Sequence, residues 1–187
     1  MAEDQRARIL DASAQLLARQ PNARMDDIAK SAGVSRATLH RYFPGRETLL
    51  VVLEQVAAEK MQAAVAMADL ASGPAPVAVI RLIEECESVA PYLALLYQQG
   101  GEVSADGSYS RWAEIDTDLT TFFRRGQQQG EFVLTLTPAW LTDAFFSLVT
   151  SASWSISEGR VAARDFVHCV GAVLLPALTT ERSEIIA

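Results

Sequence analysis

Apolar residues recur at three- and four-residue spacing along nearly all of the 187-residue chain, and glycine or proline interrupts them at intervals. That period lines up side chains on one face of an α-helix, whereas a strand needs strict alternation. Ile9, Ala12, Leu16 and Leu17 form the first stripe, within a helix predicted over 4–19 and ended by Pro21-Asn22. A short helix over 26–32 stops at Gly33, and Ser35 caps a third over 36–43, which Pro44-Gly45 breaks. A long helix is predicted over 46–71, followed by the sharpest break in the chain, Ser72 to Pro76. Further helices are predicted over 76–89, 92–99, 109–129, 138–158 and 162–179, the last kinked at Pro176. A polar loop is expected from Gly100 to Ser108. Only Glu131 to Thr137 alternates, weakly, and it ends at Pro138. The fold class is therefore all-α, with about nine helices. A small unit, residues 1–47, is joined through the helix at 46–71 to a larger one, residues 48–187.

Charge divides along the same line. Residues 1–50 hold eight Lys/Arg against six Asp/Glu, while residues 51–187 hold eight against seventeen. The whole chain carries −7, a poor match to a polyanion, yet its N-terminal part escapes that acidity. The opening residues are charged and lack the apolar stretch of a signal peptide. No run approaches the roughly 18 apolar residues of a membrane span. The two cysteines, Cys86 and Cys169, sit in apolar helical patterns and form no metal-type pair. A soluble cytoplasmic protein with no cofactor and no membrane partner is expected.

The stretch GVSRATLHRYF, Gly33 to Phe43, carries the most chemistry. Two short helices joined by Gly33-Val34-Ser35 make a helix-turn-helix pattern, whose second helix enters the DNA major groove. At about 100° per residue, Leu39 and Phe43 fall together and face a core with Ile28 and Val34. Arg36, Ala37, His40 and Arg41 spread over the other side. An arginine there can bond guanine O6 and N7 with both arms of its fork. Thr38 and Tyr42 lie on the flank, within reach of phosphates, and Ser35 opens the helix. Arg46, at the start of the next helix, adds a cation beside free backbone N–H groups and is a further phosphate candidate. Two helices around such a turn also occur in ordinary bundles, so spacing alone leaves both readings open.

Met25 to Leu50, preceded by Ile9 to Ala18, closely resembles the N-terminal domain of TetR-family transcriptional regulators. The matching residues are Asp27-Ile28-Ala29, Ala32-Gly33-Val34-Ser35, Thr38-Leu39, Tyr42-Phe43, Glu47 and Leu49. Three positions depart from the family pattern: His40 stands where an aromatic is common, Arg46 where lysine is common, and Asn22-Ala23-Arg24 where a capping Ser or Thr is usual. Arg24 is the candidate to replace that hydroxyl at a phosphate. The resemblance implies a homodimer on a pseudo-palindromic double-stranded operator. It also implies a repressor released by a small-molecule effector bound in the C-terminal bundle. A ligand-independent DNA-binding protein, with a bundle used only for dimerisation or partner docking, is the alternative.

The C-terminal portion supports a bundle independently. Ser147, Ser151 and Ser155 recur once per turn, and the last helix places Gly171 and Ala172 among Phe166, Val170, Val173 and Leu174. Small residues in line allow close helix approach, and apolar residues on several faces imply burial on both sides. Those seven Ser and apolar positions are the candidate dimer interface; an internal core is the other reading. Tyr97, Trp112, Glu114 and Phe122 are the candidate ligand-binding residues. His40 and His168 lie in different portions, and no catalytic triad, metal cluster or phosphate loop stands out, so an enzyme is not expected.

Overall fold

The computed structural model describes residues 2–98 and 108–179, and among these it contains helices and no strand. The order is α1 (Ala2–Arg19), α2 (Met25–Ser31), α3 (Arg36–Tyr42), α4 (Arg46–Met67), α5 (Ala75–Cys86), α6 (Ala90–Gln98), α7 (Ser108–Gln128), α8 (Pro138–Ser157) and α9 (Phe166–Thr179). A single 3₁₀ turn, Ala163–Asp165, precedes α9, where one continuous helix from 162 is predicted. Pro176 stands inside α9, which continues to Thr179. Of the loop expected at Gly100 to Ser108, only Ser108 lies within the described residues, and it begins α7.

The helix ends follow local chemistry. Ser35 Oγ accepts from the Thr38 N–H at 3.1 Å and starts α3, and Thr137 Oγ1 accepts from the Trp140 N–H at 3.2 Å and starts α8 ahead of Pro138. Gly33 turns the chain between α2 and α3 at φ +66°, a conformation that side chains with a Cβ rarely adopt. Arg81 closes the other end of α4 by donating to the carbonyls of Ala68, Asp69 and Ser72. The Glu131–Thr137 stretch is not a strand, and among the described residues no strand lies beside it to pair with. Its backbone is satisfied by single partners instead. Gln127 Nε2 donates to the carbonyls of Val133 and Leu136, both at 2.7 Å, and the Val133 N–H donates to the Leu178 carbonyl.

Two apolar clusters hold the chain. The first gathers Ile9, Leu17, Ile28, Leu39 and Phe43 of α1–α3 and the turn after α3, with Leu49 and Leu53 of α4 and Tyr92 and Leu95 of α6. The second fills the bundle with residues of α4, α5, α7, α8 and α9, including Phe123, Phe145, Phe166 and Leu174. Packing therefore crosses the boundary drawn at residue 47, since α4 and α6 complete the core of the N-terminal unit. Cys86 is buried beside Met61, and burial, reinforced by Glu85, pushes its thiol up to about 12, so it serves as a small hydrophobe.

The turn after α7 fixes how α7 meets the end of α9. Gly126, in the last turn of α7, is buried, and a Cβ on it would collide with the ring of Phe132 in the turn, itself packed on Phe122 and Phe123. Overpacking of this kind costs about 1–3 kcal/mol. Gly126→Ala is expected to lower the thermal midpoint by several degrees in a circular-dichroism melt, and an unchanged midpoint would show that the ring has room to move.

Candidate nucleic-acid interface

The site is built by α3 and its supports. Leu39 and Phe43 are buried at 0% and 1% exposure, locking the inner face of α3 into the first core. Arg36, Ala37, His40 and Arg41 consequently lie exposed on one side. The Arg36 guanidinium reaches Asp26 of α2 at 3.2 Å, with both side chains solvent-exposed, so the pair is weak and exchangeable. The Arg41 guanidinium lies 5.4 Å from the centre of the Tyr42 ring. Four side chains able to meet base edges thus project from two turns of helix.

The flanks hold the phosphate candidates. Ser35 Oγ and Thr38 Oγ1 are 2.9 Å apart and share the helix cap. Tyr42 is half-buried, and its hydroxyl donates to Gln5 of α1 at 3.2 Å. Arg24 is exposed at the start of α2, where its backbone N–H donates to the Asp27 carboxylate at 3.0 Å. That is half of a capping box and accounts for helix initiation without a hydroxyl at this position. Arg6 was not anticipated from the sequence: its guanidinium lies 5.8 Å over the Phe43 ring, which brings the first turns of α1 against α3. Nothing in local spacing announces this contact, because it joins residues far apart in the chain.

Comparison with known proteins follows this geometry. The profile described as bacterial regulatory proteins, tetR family, matches residues 9–53, the span of α1, the two-helix motif and the start of α4. The HTH-type transcriptional regulator NfxB of Pseudomonas aeruginosa is 31% identical over 170 residues, covering 90% of this chain and 91% of that protein. The chain belongs to the TetR family. It is a DNA-binding transcriptional regulator of the helix-turn-helix type. The HTH-type transcriptional repressor LfrR of Mycolicibacterium smegmatis is 30% identical over 159 residues, 84% of this chain and 82% of that one. A crystal structure of LfrR in complex with proflavine superposes with a TM-score of 0.73 at 26% identity, covering 95% of this chain and 98% of that one.

Within this TetR-family fold, the remaining expected residues are placed as follows. Arg46 does not present its guanidinium to solvent as a phosphate donor. It donates to the Ala23 carbonyl at 2.6 Å and also to that of Pro21, clamping the α1–α2 turn onto the start of α4. The four ligand candidates do not converge. Trp112 is half-buried between both cores, edge-on to Phe146, with its indole N–H buried and unpartnered. Phe122 lies in the phenylalanine cluster with Phe123 and Phe132, ten positions further along α7, and Glu114 is exposed. Tyr97 is 73% exposed and lines a groove of about 480 Å³ between α6 and α8, with Ala94, Gln98, Ser147, Ser151 and Trp154.

Of the dimer candidates, Phe166, Val170 and Leu174 face this chain's own core, each at most 2% exposed, and therefore offer no surface to a partner. Val173 is 56% exposed, Ser147 and Ser151 are exposed, and Ser155 is half-buried. On α8, Trp140, Asp143, Ser147, Ser151 and Trp154 form one outward stripe.

The Arg46 geometry separates a clamp from a phosphate contact. Arg46→Ala should lower the thermal midpoint, since charged hydrogen bonds of this kind contribute about 1.5–3 kcal/mol. The salt dependence of DNA binding should keep its slope. A slope reduced by about one, the mark of a lost phosphate contact, would contradict the clamp.

Proposed function

We propose that this TetR-family chain is a cytoplasmic, homodimeric repressor that leaves a palindromic operator when a small aromatic molecule binds its bundle. One observation carries the reading: Leu39 of α3 and Phe43 at its end are buried while Arg36, Ala37, His40 and Arg41 lie exposed on the opposite face. In this proposal those four side chains read base edges. Arg24, Ser35, Thr38 and Tyr42 hold phosphates, joined by Arg6 from α1. The acidic body lowers affinity for DNA at large and leaves attraction to the head alone.

Two further observations support the dimer and the effector. The outward stripe of α8 exposes Trp140 at 57% and Trp154 at 36%, and α9 exposes Val173 at 56%. Two exposed tryptophans on α8 and an exposed valine on α9 match an isologous contact with a second copy, in which the same faces meet across a dyad. Such a contact on α8 roofs the groove beside Tyr97 and Trp154. The groove, about 480 Å³ with aromatic walls and Ser, Thr and Gln side chains, falls in the size range of small-molecule sites. The LfrR structure holds proflavine, a molecule of the kind such walls accept.

Selection of bound duplexes from random DNA, followed by a salt titration on the winner, tests this reading. A palindromic winner is expected, with affinity falling steeply as salt rises. Arg41→Ala should cost about 1–3 kcal/mol and relax preference at one position per half-site. Equal weakening on every sequence would make Arg41 a phosphate contact, and failure to enrich any duplex would remove the DNA reading altogether.

A further inference from the structure

The two arginines on the outward face of α3 are held by different devices. Arg41 lies over the ring of Tyr42, 5.4 Å from its centre, and forms no ion pair among the described residues. Arg36 is the first residue of α3, and its Nη1 reaches Oδ2 of Asp26 at 3.2 Å, in the first turn of α2. The pair therefore ties a side chain of one helix of the motif to the other helix, across the turn at Gly33. Asp26 is not the cap of α2, because it is the Asp27 carboxylate that accepts from the Arg24 N–H. Arg36, for its part, stands at the N-terminal end of its helix, where the dipole disfavours a cation, and α3 has no acid in its own first turn. An acid reaching over from α2 offsets that.

The nitrogen that Asp26 takes decides what is left. With Nη1 turned to the carboxylate, Nε–H and Nη2 remain, and these two share one edge of the guanidinium plane. Such an edge meets O6 and N7 of one guanine together. Arg36 also stands where a reading helix touches base edges, among its N-terminal residues, while the helix before it crosses the DNA backbone. Asp26 belongs to that crossing helix, two residues after the exposed Arg24. A carboxylate placed there repels the phosphates of every duplex, so by itself it lowers affinity. What it can raise is the difference between duplexes, because it restrains a long side chain with its fork towards the bases and away from the phosphates. In water the exposed pair contributes little; where DNA displaces the solvent, its attraction strengthens.

We infer that Asp26 is a positioning residue for sequence preference: by holding Nη1 of Arg36 it presents the remaining edge of that guanidinium to a guanine in each half-site. It lowers affinity for DNA at large and sharpens the choice among duplexes. This rests on the DNA-binding reading above, and it adds a residue outside α3 to those that set the preferred sequence. Arg41, held by a ring and not by an acid, reads its own position independently of Asp26.

Binding of the full chain to the selected duplex, to its single-base variants and to an unrelated duplex tests the inference. Arg36→Ala marks the position that Arg36 reads, because preference is lost there. Asp26→Asn keeps the shape of the side chain and removes its charge. It should bind the unrelated duplex more tightly than the parent does. At the position marked by Arg36→Ala it should relax preference by about fivefold, the low end of what one bidentate contact discriminates. Preference at the position marked by Arg41→Ala should not change. Asp26→Asn combined with Arg36→Ala should be no less selective than Arg36→Ala alone. A melt of Asp26→Asn within a few degrees of the parent is expected, since the pair is exposed. Full preference retained at the Arg36 position, or an equal change in affinity for every duplex in either single variant, overturns the inference. Failure to enrich any duplex at the outset would instead count against DNA binding itself.

Discussion

The insertion of Leu39 and Phe43 into the core of the N-terminal unit is the contact on which the remaining geometry depends. Burying each contributes about 1.5–3 kcal/mol; Leu39 lies on a helix of only seven residues and Phe43 caps its end one turn later. A helix that short has little stability of its own, so its orientation comes from this anchorage. Once the inner face is fixed, the 100° step leaves Arg36, Ala37, His40 and Arg41 no direction except outward. The supports are arranged around the same anchor: Ser35 starts the helix, Gly33 sets its angle to α2, and Arg46 ties the α1–α2 turn to the base of α4. The reading surface is thus a consequence of hydrophobic packing beneath it.

The same core explains how a small head and a larger body behave as one structure. Tyr92 and Leu95 of α6 are members of the head's core, and Trp112 of α7 touches both clusters. The joint is therefore partly apolar and partly polar. Its apolar part packs α6 against α1, and the helices are also joined by hydrogen bonds from the Tyr92 hydroxyl to Asp11 and from the Gln98 side-chain amide to the Ala18 carbonyl.

Much of this was legible in the sequence, for reasons that are local. Gly33, Ser35, Pro44, Thr137 and Pro138 act through their own backbone, so the helices they bound were found within a few residues. The inward and outward faces of α3 followed from period alone. What escaped were interactions with distant backbone or with a choice between two apolar environments. Arg46 finds its partners in the carbonyls of Pro21 and Ala23, which no side-chain pattern reveals. Phe166, Val170 and Leu174 looked suited to a partner's surface, but an apolar stripe reads the same whether its own core or a second chain covers it. Trp112 and Phe122 share a helix, yet Trp112 bridges both clusters while Phe122 lies in the phenylalanine cluster of the second alone, so aromatic content did not define one pocket.

The central claim is that the exposed side of α3 occupies the major groove once per half-site. Protection of guanine N7 from methylation in the selected duplex reports on that groove directly, since N7 is exposed only there. The account predicts two protected patches related by a dyad and separated by about one helical turn, roughly 34 Å. Guanines that remain equally reactive in the saturated complex would contradict it.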